Sequence, residues 1–249
     1  MYQKAVEKTC NEQANHMREH IGLRKKQYNY HITYKIRQEE GEESAYETVV
    51  MYTQRFLEGK CKKGLLLVGG VGSGKTFMVS HVANSIVNYI TLRETGDWNF
   101  WLDIESEDWL YVREPVVFST ASNMLDDLRK NPYPMTYARY QECSLLILDD
   151  LGVERITEWS LEILFKIIDY RYNEELPILI TTNCTPEELK EHVGDRIFDR
   201  IRSMCALVPV TSPSRRKTVN LEEMLGIEKH SKLEASEEIE TLEETEESE

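Results

Sequence analysis

Residues Gly69-Gly70-Val71-Gly72-Ser73-Gly74-Lys75-Thr76 fit the pattern G-x-x-x-x-G-K-[ST]. They follow Gly64-Leu65-Leu66-Leu67-Val68, an apolar run that reads as a buried strand, and they precede an apolar-periodic stretch. Phe77, Val79, Val82, Ala83, Ile86 and Val87 give that stretch the buried side of a helix. A strand, a glycine-rich turn and a helix in this order form a phosphate-binding loop. Glycines let backbone N–H groups wrap phosphate oxygens, the Lys75 ammonium neutralises the terminal phosphate, and the Thr76 hydroxyl ligates Mg²⁺. The expected ligand is a nucleoside triphosphate, held by Gly69, Gly70, Val71, Gly72, Ser73, Gly74, Lys75 and Thr76.

Five apolar runs read as strands: 64–68, 116–120, 145–149, 178–182 and 205–210. Helical stretches separate them. The alternation predicts an α/β fold with a parallel sheet covered on both faces, and a ligand site at the carboxyl ends of the strands. Residues 44–58 read as a helix ending at Gly59, residues 1–20 as polar and helical, and residues 21–33 as extended. The expected division is a short extension or linker over 1–45, an ATPase domain over 46–220 and a tail over 221–249. Residues 91–115 interrupt the passage from helix to strand with Trp98, Phe100, Trp101, Trp109 and Tyr111, and read as an aromatic, acidic insert with a small core of its own or a partner surface.

The net charge of −14 would speak against nucleic acid if it were evenly spread. Residues 221–249 carry twelve Glu against Lys229 and Lys232, a net of −10, which leaves −4 for the first 220 residues. The tail therefore predicts disorder, and its charge does not describe the body. No run approaches the roughly 18 apolar residues of a spanning helix, and the N-terminus lacks a signal-peptide core, so a cytoplasmic protein with no membrane partner is expected. Cys10, Cys61, Cys143, Cys184 and Cys205 form no C-x-x-C pair and indicate neither a disulfide framework nor a zinc site.

Ser144-Leu145-Leu146-Ile147-Leu148-Asp149-Asp150 is a buried strand ending in two carboxylates, as in a Walker B element. Asp149 is expected to hold Mg²⁺ and Asp150 to orient and deprotonate the attacking water. Ile180-Thr181-Thr182-Asn183 ends the next strand at the same sheet edge, where Asn183 could hold that water or simply form an Asx turn. In Gly194-Asp195-Arg196-Ile197-Phe198-Asp199-Arg200-Ile201-Arg202, Arg196 and Arg200 lie at i, i+4 beside a buried Ile197/Ile201 stripe. That face is either a solvated surface or the source of an arginine for a neighbour's nucleotide. Ser212-Pro213-Ser214-Arg215-Arg216-Lys217 is a basic turn that could reach phosphates. His16-Met17-Arg18-Glu19-His20 matches the H-x-x-E-H zinc-peptidase pattern, but in a polar segment with no glutamate assignable as third ligand.

Together, GGVGSGKT at 69–76, LLILDDLG at 145–152, the run from Ile156 to Asn183, and GDRIFDRI at 194–201 resemble the DnaC/DnaI family of replicative helicase loaders, which are AAA+ ATPases. The resemblance covers roughly residues 50–217. It implies an AAA+ P-loop sheet of order 5-1-4-3-2 flanked by helices, without a helical lid domain. It implies ATP and Mg²⁺ as ligands, Lys75 and Thr76 as the Walker A pair, Asp149 and Asp150 as the Walker B pair, and Asn183 as sensor 1. Arg200 matches the arginine finger and Arg215 the sensor 2 arginine, with Arg216 one step away. Ile21-Gly22-Leu23-Arg24-Lys25-Lys26 resembles the linker that follows the family's helicase-binding domain, and about twenty residues precede it.

Three functions lead, ahead of a small-molecule kinase, for which the sequence shows no phosphoacceptor pocket. The first is an ATP-hydrolysing oligomer that loads or remodels a replicative helicase on single-stranded DNA. The second is an IstB-like transposition ATPase, the sister activity on this fold. The third is a switch or inhibitor that binds nucleotide without turnover. Arg129, Lys130, Arg139 and the cluster at 215–217 are the candidate DNA contacts, with ordinary surface charge as the alternative.

Overall fold

The apolar runs become five strands: β1 (Gly64–Gly69), β2 (Val117–Thr120), β3 (Leu146–Asp149), β4 (Ile178–Thr182) and β5 (Cys205–Val210). They are hydrogen-bonded in the order β2-β3-β4-β1-β5, every pair parallel. From the opposite edge this is 5-1-4-3-2, the order implied by the resemblance. The computed structural model describes residues 12–33, 36, 44–92, 114–153 and 156–214. The tail at 221–249, the cluster at 215–217 and all but the ends of the 91–115 segment lie outside the described residues, as does everything beyond Ser214 where a lid would follow.

Side-chain alternation explains why the strands read as continuous apolar runs. Leu65 and Leu67 face one core and Leu66 the other; Ile147 opposes Leu146 and Leu148, and Leu179 opposes Ile178 and Ile180. A sheet buried on both faces has no polar side to show in its sequence. Helices α2 (Ala45–Leu57) and α3 (Lys75–Leu92) cover the first face. The second is covered by α4 (Ala121–Lys130), α5 (Pro134–Glu142), α6 (Glu158–Asn173), α7 (Pro186–Val193) and α8 (Asp195–Met204). The outer strand β5 leaves Leu207 exposed and carries Pro209, which has no N–H to offer another strand.

Local signals set the helix starts. The side chains of Ser44, Thr120, Thr157 and Thr185 each accept a bond from an amide of the helix that follows. Thr185 and Glu188 complete a reciprocal capping box, and Pro134 and Pro186 occupy first-turn positions where no N–H is needed.

The segment before α2 departs from its predicted form. Residues 12–20 form a helix, α1, but 21–33 are turns with a single 3₁₀ turn at Lys25–Gln27, not an extended stretch. The segment packs on the sheet's first face: Ala14, Met17, Ile21, Leu23 and Ile32 are buried in the same cluster as α3. Polar side chains fix it there. Arg18 donates to Asn84 Oδ1 (3.0 Å) and Asn88 Oδ1 (2.6 Å), Gln27 to Ser80 Oγ (3.0 Å), and Asn84 Nδ2 to the Gln27 carbonyl (2.8 Å). The Phe118 amide on edge strand β2 donates to the Ile21 carbonyl (2.6 Å), so the segment also occupies part of the sheet edge.

Candidate functional site

The parallel registers bring the motifs together. Pairing of Leu67 with Thr181 and of Leu148 with Ile180 sets the carboxyl ends of β1, β3 and β4 side by side. The loop from Gly70 to Gly74 leaves β1 at that edge and opens α3, whose first residue is Lys75. The first turn of a helix presents amides with no intrahelical acceptor and the positive end of the helix dipole, which suits an anion.

Two glycines make this loop possible. Gly72 (φ +83°) and Gly74 (φ +101°) adopt the left-handed region. A Cβ at Gly72 would collide with the Ser214 hydroxyl, and one at Gly74 with the Tyr46 hydroxyl. The loop thus has a fixed shape backed by side chains from α2 and the segment after β5. Ser73 Oγ is buried with no hydrogen-bond partner among the described residues, an orphan that a phosphate oxygen would satisfy.

Lys75, 4% exposed, spends its three N–H bonds on the carbonyls of Gly69 (2.7 Å) and Gly70 (2.9 Å) and on Asn183 Oδ1 (2.7 Å). These three bonds hold the ammonium at the loop mouth. Thr76 Oγ1 donates to the Asp149 carboxylate, 3.1 Å from Oδ1 and 3.0 Å from Oδ2. A cation between hydroxyl and carboxylate would take the place of that bond.

Asp149 is 3% exposed. Burial pushes its carboxyl above the ordinary range and the charge of Asp150 adds to this, while hydrogen bonds from Thr181 and Thr76 and the Lys75 ammonium oppose the rise. Such a carboxylate gains from any added positive charge. Its second donor is Thr181, fully buried, whose Oγ1 lies 2.6 Å from Asp149 Oδ1 and also accepts the Asp150 amide at 2.9 Å. One hydroxyl thus sets both acids. Asp150 sits at φ +57°, a left-handed conformation that Asp tolerates and that ends β3 abruptly. Asn183 is legible at this edge in the sequence and Thr181 is not: its signal is the β-branched hydroxyl in Ile180-Thr181-Thr182, and its role depends on strand register.

The other sequence candidates fall elsewhere. Arg200 lies on α8 beside α6, where its Nε donates to Asp169 Oδ1 and its Nη1 to the Arg196 carbonyl (3.3 Å). None of its hydrogen-bond partners is in the phosphate loop. Arg215 lies outside the described residues. Arg139, a candidate DNA contact, pairs with Glu114 (3.0 Å) and donates to the His20 carbonyl (2.6 Å), which gives it an internal structural role. Arg129 lies over the Trp159 ring (4.6 Å) and near Asp126; Lys130 is exposed. No group of three metal-ligating side chains occurs among the described residues, so the His16 and His20 pattern gathers no zinc site there. No described helix is long and apolar enough to cross a membrane.

Residues 113–223 match the IstB-like ATP binding protein family, a span that takes in β2 to β5 but not the phosphate loop. The chain is 23% identical over 184 residues to the replicative helicase loader DnaI of Bacillus subtilis, covering 69% of this chain and 53% of DnaI. It is 28% identical over 172 residues to the phage-like element PBSX protein XkdC of the same organism, covering 65% of this chain and 56% of XkdC. The chain therefore spans about half the length of the curated relatives it matches. A crystal structure of DnaI superimposes with a TM-score of 0.51 at 23% identity, over 68% of this chain and 83% of that one. The fold is the AAA+ P-loop fold, and the chain is similar to the DnaC/DnaI-type helicase loaders, as the motifs imply.

Proposed function

We propose that this protein binds and hydrolyses ATP in the cytoplasm, as an oligomer that loads or remodels a replicative helicase on single-stranded DNA. The observation that carries the reading is the junction at the sheet edge: Lys75 bonded to Asn183, and Thr76 bonded to Asp149, at the mouth of a left-handed glycine loop. Thr76 and Asp149 are the residues that would hold Mg²⁺, which would offset the charge of the β- and γ-phosphates. Lys75 would exchange its carbonyl partners for γ-phosphate oxygens. Asp150 would take a proton from the attacking water as the new oxygen–phosphorus bond forms and ADP departs, with Asn183 fixing the water. Arg200, whose hydrogen bonds run to α6 and to its own helix, would complete the site of a neighbouring copy.

The helicase partner is supported by the similarity to DnaI, and it extends to this chain only as a proposal because the match covers 53% of DnaI. The match to the IstB-like family favours one second reading, an ATPase that directs a transposase. ATP turnover measured with and without single-stranded DNA and the host's replicative helicase tests the first reading. Turnover raised by the helicase and lost in Arg200→Ala is expected. Turnover indifferent to helicase but raised by a transposase would move the assignment to the second, and nucleotide binding with no turnover under any condition would make the protein a switch.

A further inference from the structure

Arg200 is not an arginine spread over a solvated helix face. Its Nε is bonded to Asp169 Oδ1 across the α6–α8 contact, and its guanidinium carbon lies 4.8 Å from the Phe165 ring centre and 5.7 Å from that of Tyr172. Phe165, Asp169 and Tyr172 stand at i, i+4 and i+7 of α6 and so share one face. Asp169 is itself held: its Oδ2 accepts from Asn173 Nδ2 at 3.3 Å. The side chains of Arg200 and Asp169 are 27% and 29% exposed, so the pair is partly shielded yet reachable. Nε and Nη1 are engaged, whereas Nη2 has no partner among the described residues. The cradle holds the guanidinium through Nε and Nη1 and leaves Nη2 for a further acceptor.

An arginine that must meet a phosphate on another subunit gains from being ordered beforehand, because a long side chain otherwise samples many rotamers and a displacement of about 1 Å can cost a hundredfold in rate. We infer that Asp169, with Phe165 and Tyr172, is the positioning residue for Arg200: it holds the guanidinium in the orientation a neighbouring copy's nucleotide requires. The inference rests on the reading of Arg200 as a residue acting in trans. It differs from an ordinary ion pair that merely ties α6 to α8, because a structural tie would impair the variant's own fold, whereas a positioning role impairs only its neighbour's site.

Subunit mixing tests this. Asp169→Ala should lower helicase-stimulated turnover about 30- to 100-fold, less than the thousandfold or more expected on losing the arginine itself, and leave ATP affinity unchanged. Asp169→Asn, which keeps an acceptor for Nε, should recover most of the loss. Asp150→Ala subunits do not turn over but carry an intact Arg200, so mixing them with Asp169→Ala subunits should restore turnover, as mixing them with Arg200→Ala subunits should. Asp169→Ala with wild-type turnover would overturn the inference. So would an Asp169→Ala defect that mixing does not relieve while the Arg200→Ala defect is relieved, since Asp169 would then act within its own subunit. If Arg200→Ala is fully active, or defective and unrelieved by mixing, the trans reading fails and this inference falls with it.

Discussion

Replacing Thr181 by Val keeps the shape of a fully buried side chain and removes only a hydroxyl. Two hydrogen bonds go with it: the 2.6 Å bond to the Asp149 carboxylate and the 2.9 Å bond from the Asp150 amide. A bond to a charged acceptor contributes about 2 kcal/mol and an amide left without an acceptor costs about 1 kcal/mol, so a loss of about 3 kcal/mol is expected near neutral pH. For a chain of this size that lowers Tm by roughly 6–12 °C. The loss should also depend on pH in a set direction. Burial already raises the Asp149 carboxyl, and the Thr181 bond opposes that rise. Without the bond the folded-state pKa climbs further, so ionised Asp149 is penalised more and the protonated form little. The destabilisation should therefore be small at acid pH and grow as pH rises through the carboxyl's raised range. Urea unfolding of wild type and Thr181→Val at several pH values measures this. A difference below about 0.5 kcal/mol, or one that grows toward acid pH, would refute the placement of Thr181 as donor to an ionised Asp149.

Arg171, fully buried on α6, donates through Nη1 to the carbonyls of Tyr140, Gln141 and Cys143 and through Nη2 to that of Pro177. Arg171→Ala should cost about 3–5 kcal/mol in urea unfolding, and Arg171→Lys less, because an ammonium still satisfies part of that cage. His81 accepts the Ile32 amide on Nδ1, and burial, with the neighbouring His31, lowers its pKa from 6.5 to about 4. It is neutral when folded, so its contribution is complete above pH 6.5 and fades as pH falls toward 4; up to about 3 kcal/mol of stability should be lost across that window, and His81→Asn should flatten the profile. Gly72→Ala should abolish nucleotide binding in an equilibrium titration while leaving the sheet folded, because φ +83° and the Ser214 hydroxyl both exclude a Cβ.

The sheet was legible because each strand is a run of β-branched residues and Leu between turn signals, and because a parallel sheet buried on both faces leaves that pattern unbroken. The phosphate loop and Asp149-Asp150 were legible because their spacing follows from phosphate geometry. The segment 21–33 was not, because Ile21, Leu23 and Ile32 follow neither strand nor helix period; polar anchors on α3 such as Ser80, His81 and Asn84 hold it, and these reveal nothing locally. Arg171 reads in sequence as one more charged helix residue, yet it is enclosed by carbonyls from α5 and the turn before β4. The Asp169–Arg200 pair joins residues 31 apart on two helices, a contact that only their packing creates. Position within an element is written in the sequence; partnership across elements depends on register and helix packing.

On the proposed reading, this sheet edge binds ATP and cleaves it with Asp150. The direct measurement is ATP binding and phosphate release followed side by side in wild type, Asp150→Ala and Lys75→Ala. Binding retained with release abolished in Asp150→Ala, and both lost in Lys75→Ala, is the predicted result. Phosphate release that survives in Asp150→Ala, or ATP binding that survives in Lys75→Ala, would contradict it.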